Sequence, residues 1–204
     1  GDMEQGKQRL RQIDGGGVPN YFGAQRFGNA NGNASRALNW FEGKVKLTDR
    51  NERSLLLSAA RSFLFNAVLD ERVKAGCWNT AVDGDVMALA GSGSLFASPR
   101  ALAGELSRRL AEFDIHPTGP LWGKGILATS GDAAHMEQRV IEKFSELAAG
   151  LEKHGLVQER RPLRLQVKSL QTQFSGTYLE LEFGLDRGTY ATSVLRELIS
   201  META

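Results

Sequence analysis

The run Gly17-Val18-Pro19-Asn20-Tyr21-Phe22-Gly23-Ala24-Gln25-Arg26-Phe27-Gly28 constrains this chain more than any other stretch. Its twelve residues hold three glycines, one proline, three aromatics, two amides and one arginine. Neither the period of a helix nor the alternation of a strand accounts for that mixture. Pro19-Asn20 is a turn signal, because proline fixes φ and asparagine tolerates unusual backbone angles. Gly23 and Gly28 permit close backbone approach or positive φ. The chain must pass through an irregular, glycine-hinged loop here. Tyr21, Phe22 and Phe27 either seat that loop in a core or offer flat faces to a base, and the residues alone leave both readings open.

The 204 residues give room for one full domain, or a domain with an appended piece. Hydrophobic residues make up 41% and charged residues 24%, an ordinary globular composition. The formal net charge of +1 argues against a polybasic tail but leaves room for a local basic face. Cys77 is the only cysteine, so an internal disulfide is excluded and a reducing, cytoplasmic compartment fits. No apolar run approaches the ~20 residues that span a bilayer, and no signal peptide is visible, so no membrane partner is expected.

Periodicity and punctuation organise the rest. Residues 4–13 read as a short basic helix stopped by Gly15-Gly16-Gly17; no P-loop lysine and serine follow, so the triplet is not read as a phosphate cradle. A polar loop over 29–33 precedes a helix over 34–42, with Leu38, Trp40 and Phe41 partly buried. The best helix runs over 51–75, with Leu55, Ala59, Ser62/Phe63, Asn66/Ala67 and Leu69/Val73 on one face, stopped by Gly76. Arg50, Arg53, Arg61, Arg72 and Lys74 lie on or beside it, as a solvated face or an RNA-facing stripe. Val82-Asp83-Gly84-Asp85 reads as a turn rather than a metal site, followed by a strand, with Leu95-Phe96 pairing back. Ser98 as N-cap and Pro99 in the first turn open a helix burying Leu102, Leu106, Leu110 and Phe113. Residues 114–130 are loop-rich, anchored by Trp122, and helices return at 133–148 and 148–154. The last third turns extended, with strands over 163–168 and 177–183, then a helix over 189–200 with Thr189 as N-cap. The class is α+β.

Conventional catalytic constellations are weak. His116, His135 and His154 are too scattered for a metal site, Cys77 has no neighbouring histidine, and no Ser-His-Asp order or nucleotide fingerprint stands out. The second informative passage is Phe183-Gly184-Leu185-Asp186-Arg187-Gly188-Thr189-Tyr190-Ala191-Thr192-Ser193-Val194-Leu195-Arg196-Glu197-Leu198. It reads as a strand, a glycine turn and a helix with an aromatic at its mouth. A helix N-terminus suits phosphate, and an aromatic there can stack on an unstacked base or simply pack into the core.

Both passages resemble signatures of the TruD family of tRNA pseudouridine synthases. Gly17–Gly28 resembles the G-V-P-N-Y-F-G-x-Q-R-F-G run that opens the family-specific domain. The second passage resembles its F-x-L-P-x-G-S/T-F/Y-A-T-S-V-x-R-E-L run, with Asp186 where the family usually has proline. Ser58-Ala59-Ala60-Arg61-Ser62, with Phe65-Asn66 beyond, and Val82-Asp83-Gly84-Asp85 are also family-like. The resemblance implies an α+β chain made of a helix-rich TruD-specific insertion domain over 15–170, with a leading helix over 1–14 and a terminal strand and helix over 171–204 from the catalytic domain. It implies isomerisation of uridine to pseudouridine in the dihydrouridine arm of tRNA, with no metal or organic cofactor. Tyr190 is the expected contact to the target uracil, and Arg26, Arg61 and Arg196 are candidate RNA contacts. The family's aspartate lies in a G-x-K-D-x-x-A motif that these 204 residues lack, as they lack its G-N-x-F motif, so no catalytic residue is assigned here. The expectation is a C-terminal piece of such an enzyme, inactive alone, partnered by tRNA. Its unpaired sheet edge would meet the N-terminal half of the enzyme or a second copy. The alternatives are a non-catalytic RNA-binding module and an interaction domain without an RNA role.

Overall fold

The computed structural model describes residues 3–28, 32–98, 103–176 and 178–198. Pro99 and Leu102 of the expected fourth helix, Thr177 of the last strand and the end of the final helix lie outside them. In chain order come α1 (Met3–Gly16), β1 (Val18–Pro19), a single 3₁₀ turn (Ala24–Arg26), α2 (Gly32–Phe41) and α3 (Arg50–Lys74). Then follow β2 (Val86–Leu89), β3 (Leu95–Ala97), α4 (Ala103–Ala111), β4 (Ile115–Leu121), α5 (Gly131–Lys143) and α6 (Ser145–Lys153). The chain closes with β5 (Glu159–Pro162), β6 (Arg164–Leu165), β7 (Lys168–Ser175), β8 (Tyr178–Gly184) and α7 (Ala191–Arg196). The architecture is α+β, as the sequence indicates.

The long helix α3 is the hub, packed against α2, α5, α6 and β4. Because it has neighbours on several sides, its buried surface is broader than one stripe: Leu56, Ala59, Ala60, Leu64, Phe65, Val68 and Leu69 are all buried. The face expected from periodicity is displaced by about one residue, and Leu55 and Val73 are exposed. The arginines of α3 are neither a simple solvated face nor a continuous stripe. Arg72 is fully buried and ion-paired with Asp85, and Arg53 donates from Nε to the Leu47 carbonyl at 2.8 Å. Asp85 also accepts from the Val82 amide at 2.8 Å, so the Val82–Asp85 turn serves a buried ion pair.

Four strands form an antiparallel sheet in the order β3-β2-β4-β5. Leu95–Ala97 pairs back on Val86–Ala88, as expected. The centre of this sheet is β4, in the passage read from sequence as loop. Pro117 and Pro120 carry no N–H for a ladder, which argues against a central strand. The Pro117 carbonyl nevertheless accepts from the Leu163 amide at 2.8 Å, and the sheet closes around both prolines. Met87 and Ile115 of the sheet bury Leu106 and Leu110 of α4. A helical core gathers Ala37, Leu56, Leu64, Ile141 and Leu151.

A separate core joins the two ends of the chain: Ile13 from α1, Val18 from β1, Leu165 and Val167, and Val194 from α7. Gly17, at φ +73°, stops α1 and lets β1 pair directly with β6; a side chain there would strike the Leu165 carbonyl. The extended last third is arranged differently from the expectation. The half-buried strand over 163–168 shortens to Arg164–Leu165, and the partner of β8 is β7, which the polar sequence over 168–175 did not announce. Among the described residues the β7–β8 ribbon pairs with no third strand, and Phe174, Tyr178 and Leu179 are exposed on it.

Candidate functional site

The Gly17–Gly28 run is an anchored loop and also the wall of a site. Asn20 fixes it to the strand region: its amide donates to the Leu163 carbonyl and its Nδ2 to the Pro162 carbonyl, both at 2.8 Å. Tyr21 and Phe27 are buried, and the Tyr21 hydroxyl donates to Asp70 on α3 at 2.6 Å. Burial first, then Asp70, raises the Tyr21 phenol far above its usual value, so it stays a neutral donor. Two of the three aromatics are thus core anchors.

Phe22 is the third, and it is only partly buried. Asn66 on α3 clamps its backbone from both sides: the Phe22 amide donates to Asn66 Oδ1 at 2.9 Å, and Asn66 Nδ2 donates to the Phe22 carbonyl at 3.0 Å. The ring meets Phe65 edge-on at 5.4 Å and lies 6.4 Å from the Tyr190 ring. The Arg161 guanidinium lies 4.2 Å from its centroid and that of Arg26 5.5 Å. Cationic groups over an aromatic face are electrostatically favourable.

Arg26 leaves the 3₁₀ turn and bridges two distant elements. Nη1 donates to the Ser58 hydroxyl on α3 at 2.8 Å, and Nη2 to the Tyr190 hydroxyl at 3.1 Å. Arg161 on β5 donates from Nη2 to Asn20 Oδ1 at 2.8 Å and to the Gly188 carbonyl at 2.9 Å. Its pKa is lowered to about 10, chiefly by burial, with Arg26 adding repulsion and Tyr190 opposing it. It stays charged near neutrality.

Tyr190 is the N-cap residue of α7, partly buried. Thr189, the expected cap, instead turns its hydroxyl back to the Asp186 carbonyl at 2.6 Å. The helix is held against the loop by Ser193, whose hydroxyl donates to the Tyr21 carbonyl at 3.0 Å, and by the close approach of Gly23 to Thr192. Arg196, one turn further along, is exposed and stacks over the Tyr21 ring at 4.4 Å. It also borders a shallow cavity of about 340 Å³ with Phe22, Phe27, Phe63, Asn66 and Asp70.

Of the expected site residues, the structure brings together Tyr190 and Arg26 in a hydrogen bond, and sets Arg196 on the other side of the same loop. Arg61 stands apart. Its Nη2 donates to the Leu121 carbonyl at 2.9 Å and to the Val157 carbonyl, and its Nη1 pairs with Glu159 at 3.3 Å. Burial lowers its pKa. Two participants were not among the expected site residues, although Asn66 stood in the family-like run on the long helix. Arg161 sits in a charged run with no motif, and no sequence signal separates it from Arg160. Asn66 had one: an amide is a poor helix former and stood amid apolar α3 positions, which suggests a side chain bonded elsewhere. Among the described residues no group of three His, Cys, Asp or Glu side chains could hold a metal ion.

An aromatic platform between arginines on an α+β frame is the class of site found here, and the chain's relatives identify the frame. The model of the family described as tRNA pseudouridine synthase D (TruD) matches residues 35–198, and the chain belongs to this family. It is 45% identical over 203 residues to the tRNA pseudouridine synthase D of Hydrogenovibrio crunogenus, covering 99% of this chain and 58% of that protein. It is 46% identical over 198 residues to the one of Aeromonas hydrophila, covering 97% and 56%. The chain thus spans a little under three-fifths of the length of these curated relatives. A crystal structure from Methanosarcina mazei assigned to TruD shares the fold, with a TM-score of 0.73 at 20% identity, covering 97% of this chain and 65% of that one.

Proposed function

We propose that this chain is the RNA-gripping part of a tRNA pseudouridine synthase, acting on a uridine in the dihydrouridine arm, in the cytoplasm. The observation that carries the reading is the Arg26–Tyr190 hydrogen bond, which joins the two family signatures across the fold. In this reading Tyr190 stacks on the target uracil once the base has left its helix, a step costing a few kcal/mol. Arg26 holds the phenol in place from behind. Arg26 and Arg196 supply positive charge to the RNA backbone, and Arg61 contributes indirectly by fixing the segment around Val157. Isomerisation breaks the glycosidic bond, turns the base and rejoins it through carbon, and in the family an aspartate does the central work. These 204 residues hold no G-x-K-D-x-x-A motif, so the chain by itself is proposed to be inactive. No helix among the described residues is long and apolar enough to cross a membrane.

For the domains, a leading helix over 1–14, an insertion over 15–170 and a C-terminal strand and helix over 171–204 are proposed. A core shared by Ile13 of the first and Val194 of the last favours grouping the two ends, while Val18, Leu165 and Val167 join the insertion's margins to the same core. The ribbon β7–β8 is the proposed edge for the rest of the enzyme, or for a second copy. The missing motif equally suits an RNA-binding module without chemistry. Release of the C5 hydrogen of uridine from tRNA tests the proposal in a protein that also carries the aspartate-bearing half. Tyr190→Ala there should lower turnover by about 5- to 150-fold, the equivalent of roughly 1–3 kcal/mol of stacking. Unchanged turnover in that variant, or robust turnover by the 204-residue chain alone, refutes the reading.

A further inference from the structure

A crevice of about 520 Å³ opens beside the Tyr190 turn, walled by the β2–β3 hairpin, the β5–β6 segment and residues 186–189. Its lining is strongly cationic: Arg160, Arg161, Arg164, Lys168 and Arg187 face a single carboxylate, Asp186, among the described residues. Several of these charges are already committed. Arg160 is ion-paired with buried Glu137, Arg164 donates to the Leu110 and Ile115 carbonyls, and Lys168 pairs with Asp186 at 2.6 Å. Two donors are not. Arg187 is exposed with no ion pair among the described residues, and Arg161 carries a buried Nε with no hydrogen-bond partner. An orphaned buried donor costs about 1–3 kcal/mol, which an acceptor arriving with a ligand would relieve. His116 in its wall has its pKa pushed down to about 4, chiefly by burial, with Arg164 and Lys168 adding repulsion and Asp186 opposing it.

We propose that this crevice is a phosphate subsite, and that the phosphate it seats belongs to the RNA strand, next to the nucleotide held at Tyr190. The proposal rests on the functional reading above and adds a second point of grip. Arg161 links the two places: its guanidinium covers the Phe22 ring and bonds the Gly188 carbonyl, two residues before Tyr190, while its side chain also lines the crevice. An arginine at the crevice wall whose Nη2 is bonded and whose Nε has no partner suits a planar, charge-assisted contact to a phosphate oxygen. Base stacking and phosphate seating would then be fixed relative to each other by one side chain.

The test uses the 204-residue chain, with an RNA hairpin representing the dihydrouridine arm. Binding is measured between 50 and 200 mM salt for the parent, Arg187→Gln and Tyr190→Ala. One lost single-strand phosphate contact flattens the slope of log K against log salt by about 0.7. The fourfold rise in salt should therefore cost the parent roughly 2.6-fold more affinity than it costs Arg187→Gln. Tyr190→Ala should weaken binding with the parent's slope retained. In parallel, the ¹⁵N resonance of Arg161 Nε is followed while hairpin RNA or inorganic phosphate is added, and should move with RNA. An unchanged salt slope in Arg187→Gln together with a stationary Arg161 Nε overturns the proposal. Movement with inorganic phosphate but not with RNA also overturns it, leaving a free-anion site. A flattened slope in Arg187→Gln alongside full binding by Tyr190→Ala would sink the stacking reading and leave the subsite standing.

Discussion

Asn66→Ala should loosen the opening loop from α3 without touching its sequence. Asn66 gives Phe22 both a donor and an acceptor, at 3.0 and 2.9 Å. Each such bond contributes a net of roughly 0.5–1.5 kcal/mol, and a partly buried Phe22 amide left without a protein partner adds part of its desolvation cost. The expected loss is about 2–3 kcal/mol. With a urea dependence of about 2 kcal/mol per molar for a chain of this size, the midpoint should fall by about 1 M. Equilibrium urea unfolding followed by circular dichroism measures it, and amide exchange at Phe22 should speed up in the variant. Asn66→Asp sharpens the test. Its carboxylate still accepts from the Phe22 amide but has no hydrogen to donate to the carbonyl, and it stands one helical turn from Asp70. Near neutral pH it should be at least as unstable as the alanine variant. A midpoint for Asn66→Ala within about 0.3 M of the parent, with Phe22 exchange unchanged, would refute the clamp.

Three further outcomes follow from the same structure. Asp85→Ala strands the fully buried Arg72 and should cost about 3–5 kcal/mol in urea unfolding, whereas replacing both members by apolar residues of similar size should recover much of that loss. Gly84→Ala should destabilise severely, since φ is +77° and a Cβ would overlap the Ser130 carbonyl. Gly91→Ala, at φ +78° in open space, should cost only about 1–2 kcal/mol in thermal melts. His116 titrates at about 4 in the folded chain against 6.5 unfolded, so between those values the unfolded state binds more protons. Its contribution is therefore complete above about pH 6.5 and fades as pH falls toward 4, and His116→Gln, which cannot titrate, should flatten that part of the pH–stability curve.

The helices were largely legible because their signals are local. The helices over 34–42 and 51–75 lie within two residues of α2 and α3, and Leu106 and Leu110 are buried on α4 as their spacing implies, whereas Phe113 falls beyond that helix and the break between α5 and α6 comes at Phe144 rather than near 148. The hairpin of β2 and β3 was legible because Gly91-Ser92-Gly93-Ser94 is a tight-turn sequence between two apolar stretches. Strand β4 was not, because two prolines are local evidence against a strand, and only pairing on both sides makes their positions acceptable. Strand β7 was missed because Lys168–Ser175 is mostly exposed, and an exposed ribbon needs no apolar alternation. The exact face of α3 failed for a related reason: a helix surrounded by four elements has no single amphipathic stripe to read.

The sequence by itself determined the family, through two long signatures, and singled out Tyr190 and Arg26, one in each, as candidate site residues. It could do so because a glycine, proline or aromatic at a fixed offset leaves a one-dimensional trace. It also showed that these residues lack the family's aspartate motif. Only the tertiary structure decided what the aromatics do. Tyr21 and Phe27 are buried, whereas Phe22 lies beside Tyr190 with Arg26 and Arg161 on it. It likewise separated Arg26, bonded to Tyr190 across 164 positions, from Arg61, committed to carbonyls. The physical reason is that a guanidinium's partners are set by which distant acceptors the fold brings within about 3 Å, and no local pattern encodes that distance.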